Sequence, residues 1–326
     1  MARYVLNDDE KNQVAALADD YLDRHPVWEP LEQADAIRIE AERLPVGVRQ
    51  FLVTARGAED ALIRVANLPV DDALVPTPAS WEIARKEGAA VREELVLLLI
   101  SSVLGDPFAW THQQGGRLVH DVCPAKGQEN SLTSASSEQQ LTLHTEDVFH
   151  ACRGDYVALM CLRNPDGVGT TVSTLDAVDF AEPLRRVLQE DRFRFFPDDS
   201  HHVVPTHTAE RPSALEERPF EVASVLFGPA DSPYLRIDAD FTDSVPEDTE
   251  ARRSLEAAAG LLARAADRVV LSPGEAVFID NYLTVHGRDT FTPRYDGTDR
   301  WLKRTSVARD LRRAYVHTKS RSRLLA

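Results

Sequence analysis

A histidine and a glutamate separated by one residue, His144 and Glu146, follow a short β-type run, Leu141–Leu143. Side chains alternate between the two faces of a β-strand, so His144 and Glu146 would point to the same side. A second strand-like run, residues 276–285, leads to His286. A His-x-Glu tripeptide alone is weak evidence, but two imidazoles and one carboxylate form the three-ligand face typical of non-haem Fe(II) sites. The pattern therefore predicts a metal centre at His144, Glu146 and His286.

Two arginines follow the second histidine, spaced from each other by an even number of positions, as on one face of a strand. Arg300 lies fourteen residues after His286 and Arg304 lies eighteen after it. Guanidinium groups bind carboxylates through paired hydrogen bonds, so these residues favour anionic ligands beside the metal. Asp238 and Asp240 are two carboxylates at i and i+2, a pair that favours a cation such as guanidinium between them. A solvated turn is the alternative interpretation of this pair.

Other metal chemistries remain open at this stage. Zinc hydrolases also use two histidines and a carboxylate, but zinc chemistry gives no reason for the downstream arginines. His150 is a rival ligand for the metal. Surface or hydrogen-bonded histidines are the simpler interpretation of His150 and of His112, His120, His201 and His202.

Composition excludes several classes of partner. The 326 residues carry a net charge of −16 without a basic stripe, which argues against nucleic acid and against anionic membranes as partners. Three cysteines, Cys123, Cys152 and Cys161, indicate a reducing compartment. Neither a signal peptide nor a membrane-length apolar run is found, so we expect a cytoplasmic protein. The oligomeric state, monomer or homodimer, stays open.

The order of predicted elements indicates a mixed α and β protein with a substantial antiparallel sheet. Residues 1–105 predict a helical wrap with one strand at 61–68, and one helix is predicted from the cap at Ser80 to Leu104. Strands dominate residues 106–326, with a hairpin expected around Gly115-Gly116. The polar segment 197–220 is predicted to be a lid. A chain of this length is long enough for two domains, but large β folds often form one, so we predict a single domain, 1–326.

Together, His144-Thr145-Glu146, His286-Gly287-Arg288 and Arg300 resemble the motifs of the clavaminate synthase-like Fe(II)/2-oxoglutarate-dependent oxygenases. The resemblance spans about 81–325 and is closest to the L-arginine 3-hydroxylases and enduracididine hydroxylases of peptide-antibiotic biosynthesis. It implies an α+β fold whose core is a double-stranded β-helix (a jelly roll, cupin-like) flanked by helices. It also implies Fe(II), 2-oxoglutarate and O2, with hydroxylation of an unactivated carbon that yields succinate and CO2.

The resemblance also implies residue roles. Arg300 and Thr170 would bind 2-oxoglutarate, with Thr171 as the alternative to Thr170. Asp238 and Asp240 would bind the substrate guanidinium, and Arg304 its α-carboxylate. Further substrate contacts are implied for Gln113, Leu132, Ser134, Glu146 (near the α-amine) and Asp198 (or Asp199) in the lid.

The substrate implied is free L-arginine or a close guanidino amino acid, oxidised at C3. The alternatives within this class are a different substrate (enduracididine, lysine, ornithine or asparagine), attack at C4, or desaturation. A metal-binding or sensor protein without turnover is the alternative outside it.

Overall fold

The computed structural model describes residues 1–128, 137, 140–198, 201, 215 and 218–325. Within these ranges the helices are α1 (Asp8–Arg24), α2 (Ala34–Ala41), α3 (Val46–Gly57), α4 (Trp81–Glu87), α5 (Val91–Leu104), α6 (Glu182–Leu188), α7 (Thr249–Arg264) and α8 (Arg312–Thr318). The strands are β1 (Ala2–Val5), β2 (Leu62–Ala66), β3 (Asp106–Trp110), β4 (His120–Val122), β5 (Leu141–His144), β6 (Tyr156–Arg163), β7 (Thr170–Thr174), β8 (Phe193–Phe195), β9 (Glu221–Ala223), β10 (Leu226–Phe227), β11 (Tyr234–Leu235), β12 (Thr242–Ser244), β13 (Asp267–Val269), β14 (Ala276–Asp280), β15 (Thr284–Arg288), β16 (Trp301–Ala308) and β17 (Leu324–Leu325). None of the helices so described is long and apolar enough to cross a membrane.

The first helices form a layer around α5. Asn7 begins α1 with a capping box, in which its side chain accepts from the Glu10 backbone and Glu10 accepts from the Asn7 backbone. The apolar run of α5 is buried on all sides because α1, α2 and α3 pack against it. The prediction of one helix from Ser80 to Leu104 is wrong: Gly88 and Ala90 both adopt positive φ and separate α4 from α5.

A large sheet covers the other side of α5. Its strand order is β1-β2-β14-β6-β16-β3-β17, and β4 pairs with β16 beside β3. The first 105 residues contribute two strands to this sheet rather than the single one expected, because the four-residue β1 pairs in parallel with β2. A strand that short gives too little alternation to be recognised from sequence.

The expected hairpin around Gly115-Gly116 is also wrong. Both β3 and β4 pair with β16, in the same direction and one after the other, so they form an interrupted strand along one edge of β16. The intervening residues 111–119 leave the sheet and return, with Gly115 at φ 66° and Gly116 at φ 78°. This excursion carries Gln113 towards β16.

A smaller sheet, β13-β7-β15-β5, packs against the large one. The apolar core between the sheets includes Leu159, Val172, Val277 and Leu302. The run predicted as one strand before His286 is two strands: β14 belongs to the large sheet, and after the turn 281–283 β15 belongs to the small one. The turn between β14 and β15 therefore connects the two sheets.

A third layer lies beyond the small sheet. The strands β12-β8-β9 and the pair β10-β11 pack with α6 and α7 around a second apolar core. The predicted lid, residues 197–220, lies mostly outside the described residues.

Candidate active site

Strand pairing brings the three predicted metal ligands together. His144 on β5 lies opposite His286 on β15, and the centroids of the two imidazole rings are 4.5 Å apart. The Glu146 Oε1 atom lies 3.3 Å from His286 Nε2 and 3.8 Å from His144 Nε2. One ligand atom from each residue lies within 4.8 Å of the others. His150 is separate, since its ring packs against Trp110 and His317.

The charges at this triad suit a divalent cation. Burial alone would raise the pKa of Glu146, but Arg304 and His144 lower it well below its usual range, so the carboxylate is ionised. Burial opposes protonation of His144, yet the Glu146 carboxylate raises the pKa of His144 to about 9. Burial and the adjacent His144 lower the pKa of His286. Without a metal, the pocket therefore retains a proton that a cation would displace.

The orientation of His144 also fits metal binding. Its Nδ1 lies 2.8 Å from the Thr142 carbonyl oxygen, which can only accept, so Nδ1 donates. This hydrogen bond directs Nε2 towards Glu146 and His286, the arrangement by which proteins orient histidine ligands. Two imidazoles and one carboxylate on one side leave the other side of a metal open.

Arg300 provides a buried cation near Arg288, which lies two residues after His286. Burial, with a smaller contribution from the nearby Arg288 guanidinium, lowers the pKa of Arg300 to about 10. In the described part of the chain the Arg300 Nε has no hydrogen-bond partner, and no described carboxylate pairs with this side chain. A buried, uncompensated guanidinium is costly unless a ligand anion completes the site. Arg300 therefore fits a carboxylate ligand.

The register of β7 on β15 separates the two threonines considered for this anion site. Thr170 lies opposite Arg288, Val172 opposite His286, and Thr171 opposite Gly287. Paired residues of antiparallel strands share a face, so Thr170 lies on the face of His286 and Arg288, and Thr171 on the other face. Thr170 is buried. The register thus favours Thr170.

Arg304 connects the metal centre to the excursion between β3 and β4. Its Nη1 donates to Glu146 Oε1 at 3.0 Å and its Nη2 donates to Gln113 Oε1 at 3.1 Å. His120 lies opposite Arg304 on β4. Burial and the Arg304 charge lower the pKa of His120 to about 3, so this histidine is neutral. Arg304 and Gln113 therefore lie beside Glu146.

Asp238 and Asp240 lie beside His144 but not at the end of a strand. β11 ends at Leu235, and Asp238 forms an isolated bridge with His144. The Asp238 Oδ1 accepts from the backbone N–H groups of Asp240 and Phe241, which makes the segment a turn. Asp240 accepts from the Thr142 hydroxyl at 2.5 Å. The turn interpretation of the backbone is thus correct, and it places both carboxylates next to the metal centre.

Burial raises the pKa of Asp238 to about 6, with His144 acting against this rise. A second carboxylate, Asp240, also raises it. A cation bound here would reverse both effects.

The remaining predicted substrate contacts are Asp198 (or Asp199), Leu132 and Ser134. Asp198 accepts from the backbone and the ring of His201, and His201 Nε2 lies 3.4 Å from Asp147, the residue after Glu146. Leu132, Ser134 and Asp199 lie outside the described residues.

Three residues of this region were not predicted as site residues. Arg288 lies in the recognised His286-Gly287-Arg288 motif, and its period of two from His286 was a usable signal. Asn281 makes hydrogen bonds to the Glu146 backbone, and no pattern in the sequence indicates them. His120 enters the site because β4 pairs with β16, which the expected hairpin obscured.

Comparisons with known proteins agree with this chemistry. Residues 93–306 match the model of the family described as taurine catabolism dioxygenase TauD, TfdA family. The chain is 43% identical over 324 residues to an enduracididine beta-hydroxylase of Streptomyces hygroscopicus, covering 95% of each protein. It is 39% identical over 337 residues to an L-ornithine/L-arginine 3-hydroxylase of Catenulispora acidiphila, covering 96% of each.

A solved structure is similar over the whole chain. The non-heme iron oxygenase OrfP, in complex with Fe, succinate and (3S)-hydroxy-L-Arg, superimposes with a TM-score of 0.90 at 37% identity. The match covers 100% of each chain.

Proposed function

Since the chain belongs to the TauD/TfdA family of dioxygenases, we propose that it hydroxylates free L-arginine, or a close guanidino amino acid, at C3. The observation that carries this proposal is the convergence of a two-histidine, one-carboxylate triad with the Asp238/Asp240 pair, together with Arg300, a buried cation that forms no ion pair with a described carboxylate. The named relatives that act on guanidino amino acids support the choice of substrate.

His144, Glu146 and His286 would hold Fe(II). When bound, Fe(II) and 2-oxoglutarate supply the oxidation: the oxo acid is decarboxylated to succinate and CO2, and one oxygen atom of O2 enters a C–H bond of the substrate. The role of the protein is to place these reactants and to exclude water. Arg300 and Thr170 would hold the distal carboxylate of 2-oxoglutarate, since both are buried and both lie near Arg288, two residues after His286.

Arg304 would bind the α-carboxylate of the amino acid. Its guanidinium already bridges Glu146 and Gln113, so an α-carboxylate there would lie within a few ångströms of the metal ligand. The α-amine would then face Glu146. Anchoring both groups at the metal side makes Cβ the first methylene carbon of the side chain from the anchor, which favours C3 over C4.

The guanidinium would lie between Asp238 and Asp240. One oxygen of Asp238 is used by the turn, which leaves Oδ2 for the ligand. A planar cation with five donors suits two carboxylates held at different angles. Leu132, Ser134 and Asp198 remain predicted contacts, with segment 197–220 as the predicted lid.

The wider expectations follow from the same proposal. We interpret the two packed sheets as a double-stranded β-helix (jelly roll) within a single domain, 1–326. The three cysteines are free, as expected of a protein in the cytoplasm.

A second candidate substrate is enduracididine, the cyclic guanidino amino acid named for one similar enzyme. Its shorter reach would still place a guanidine near Asp238 and Asp240. Lysine and asparagine lack a guanidinium for this pair to bind. Ornithine lacks one too, but it is named with arginine for one similar enzyme and stays an alternative substrate.

The test is to incubate the purified protein with Fe(II), 2-oxoglutarate and one amino acid at a time, and to measure succinate and the oxidised amino acid. Arginine or enduracididine should stimulate succinate formation and gain one oxygen atom, with NMR locating it at C3. Stimulation by asparagine alone would overturn the guanidine assignment. Asp238→Asn is the matched variant, because it keeps the oxygen that caps the turn while it removes the charge. It should raise KM for arginine by about 10–100-fold, the range of a lost charged hydrogen bond of about 1.5–3 kcal/mol.

A further inference from the structure

Asn281 lies in the turn between β14 and β15 and is fully buried. Its Oδ1 accepts from the Glu146 backbone N–H at 2.7 Å, and its Nδ2 donates to the Glu146 carbonyl at 3.1 Å. The same Nδ2 donates to the Gly154 carbonyl at 3.0 Å. One amide side chain thus satisfies both peptide groups of a metal ligand.

Glu146 needs such a partner because it lies beyond the end of β5. The strand ends at His144, Thr145 turns its backbone N–H to the Ile237 carbonyl, and Asp147 adopts φ 51°. Glu146 is therefore the one triad member outside a strand. Two residues of an antiparallel pair normally exchange two backbone hydrogen bonds. Asn281 reproduces that exchange with its side chain.

The position of Asn281 gives this contact a consequence for the metal centre. His286 follows Asn281 by five residues, and β15 begins three residues after Asn281. His144 is held against β15 by its pairing with His286. All three ligands are therefore positioned by the segment from Asn281 to His286: His286 directly, His144 through the ladder, and Glu146 through Asn281.

We infer that Asn281 is the positioning residue that fixes Glu146 for metal binding, before any metal arrives. The inference deepens the proposed function and rests on the triad being the Fe(II) site. Asn281 does not touch substrate or metal, because its polar atoms are used by Glu146 and Gly154. Its effect is exerted through the Glu146 backbone, and it should determine Fe(II) affinity and the coupling of 2-oxoglutarate turnover to hydroxylation.

The experiment compares Fe(II) binding by the wild type and by Asn281→Ala, titrated anaerobically without 2-oxoglutarate. Loss of support for a metal ligand should weaken Fe(II) binding by about 10–100-fold. With 2-oxoglutarate added, the visible charge-transfer band of the Fe(II) complex should shift or broaden. More succinate should form per molecule of hydroxylated amino acid.

Asn164 provides a matched control. Its Nδ2 donates to the carbonyls of Val168 and Leu271 and its Oδ1 accepts from the Val168 N–H, the same three-bond pattern in a turn away from the triad. Asn164→Ala should lose a comparable amount of stability and keep wild-type Fe(II) affinity. Binding of the metal alone is the appropriate readout, because the turn of Asn164 leads towards Thr170.

Equal Fe(II) affinity in Asn281→Ala and the wild type would overturn the inference. A wild type that fails to bind Fe(II) would instead overturn the proposed function. Should Asn281→Ala fail to fold, Asn281→Ser retains one donor and one acceptor and is titrated in its place.

Hydrogen exchange of the metal-free wild type tests the inference without a variant. The Glu146 amide should be strongly protected, because Asn281 accepts its proton in the absence of metal. Exchange at the rate of an unstructured peptide would show that Glu146 is not held in advance, and would overturn the inference.

Discussion

At the scale of single residues, Arg300 has the environment that most clearly requires a ligand. Its guanidinium is buried, burial lowers its pKa from 12.5 to about 10, and no described carboxylate forms an ion pair with it. A pKa lowered by that amount corresponds to about 3 kcal/mol that the folded protein bears in the absence of a bound anion. The residue is therefore a cost to stability and, in our proposal, the anchor of 2-oxoglutarate.

Because Arg300 costs stability and is proposed to bind 2-oxoglutarate, replacing it with methionine should affect both properties. Removal of the buried charge should raise the free energy of unfolding of the ligand-free protein by about 1–3 kcal/mol. It should also raise KM for 2-oxoglutarate by about 100-fold, the range of a lost charged hydrogen bond, and leave the KM for arginine nearly unchanged. Urea unfolding and steady-state kinetics measure the two effects. Arg300→Lys, which keeps the charge, is the control. An Arg300→Met protein that is less stable and still binds 2-oxoglutarate normally would contradict the assignment.

Metal chemistry restricts the ligand types, so His144, Glu146 and His286 were predicted as a triad, but the strand expected to carry both His144 and Glu146 ends at His144. The family resemblance, rather than spacing, indicated Fe(II) and the residues around the triad. Asn281 was not predicted, because its role depends on a turn that reaches a chain segment 135 residues away. Asp238 was predicted in the correct place for an incorrect reason, since a turn rather than a strand positions it.

At the scale of secondary structure, β16 carries the cations of the site on one face and a buried charge network on the other. Lys303 is fully buried, and its Nζ donates to Glu94 at 2.8 Å and to Asp121 at 2.6 Å. Arg117 pairs with the same two carboxylates. The network ties β16 to α5 and β4 and so holds the strand that presents Arg304.

We predict that Lys303→Met destabilises the protein by about 3–5 kcal/mol, the usual cost of removing one partner from a buried ion pair. Glu94 and Asp121 would then share only Arg117. The midpoint of urea unfolding should fall without a change in its slope. Adding Asp121→Asn to Lys303→Met should recover part of the loss, because it removes one uncompensated charge. A single variant as stable as the wild type would show that the network does not hold β16.

Elements whose pattern is local were predicted well, and elements defined by pairing were not. The cap at Ser80 marks the start of α4 and the run at 61–68 marks β2, because these signals lie within one segment. Pairing partners come from distant parts of the chain, so the course of β3 and β4 along β16 and the division of 276–288 between two sheets were not predictable from local sequence. These long-range strand pairings bring the residues of the site together.

At the scale of the whole molecule, Asp280 makes stability depend on pH. Burial raises the pKa of Asp280 to about 7, with Asp155 and Glu59 adding to the rise and Arg309 acting against it. In an unfolded chain an aspartate titrates near about 3.9. Between about pH 4 and pH 7 Asp280 therefore holds a proton in the folded protein that it does not hold in the unfolded chain, so its contribution to the free energy of unfolding falls as pH rises through this window.

The matching prediction concerns Asp280→Asn, which resembles the protonated side chain at every pH. The stability that this variant gains over the wild type should be small at about pH 5 and should increase towards about pH 8, where the wild type must bury a carboxylate. Urea denaturation of both proteins at the two pH values measures this difference. A difference that does not change with pH would mean that Asp280 does not titrate in this range.

Metal binding should also stabilise the whole molecule, because β15, which carries His286, is joined by a short turn to β14 in the other sheet. A ligand that binds only the folded state stabilises it by RT ln(1 + [L]/Kd), about 2.7 kcal/mol at about 100 times Kd. Mn(II), which occupies such sites without reacting with O2, should therefore raise the melting temperature by several degrees, and a chelator should reverse the rise.

Addition of 2-oxoglutarate should raise the melting temperature further in the wild type but not in Arg300→Met. His286→Ala, which lacks one ligand, should lose most of the response to Mn(II). A melting temperature of the wild type that is insensitive to both ligands would contradict the placement of the metal at the junction of the sheets.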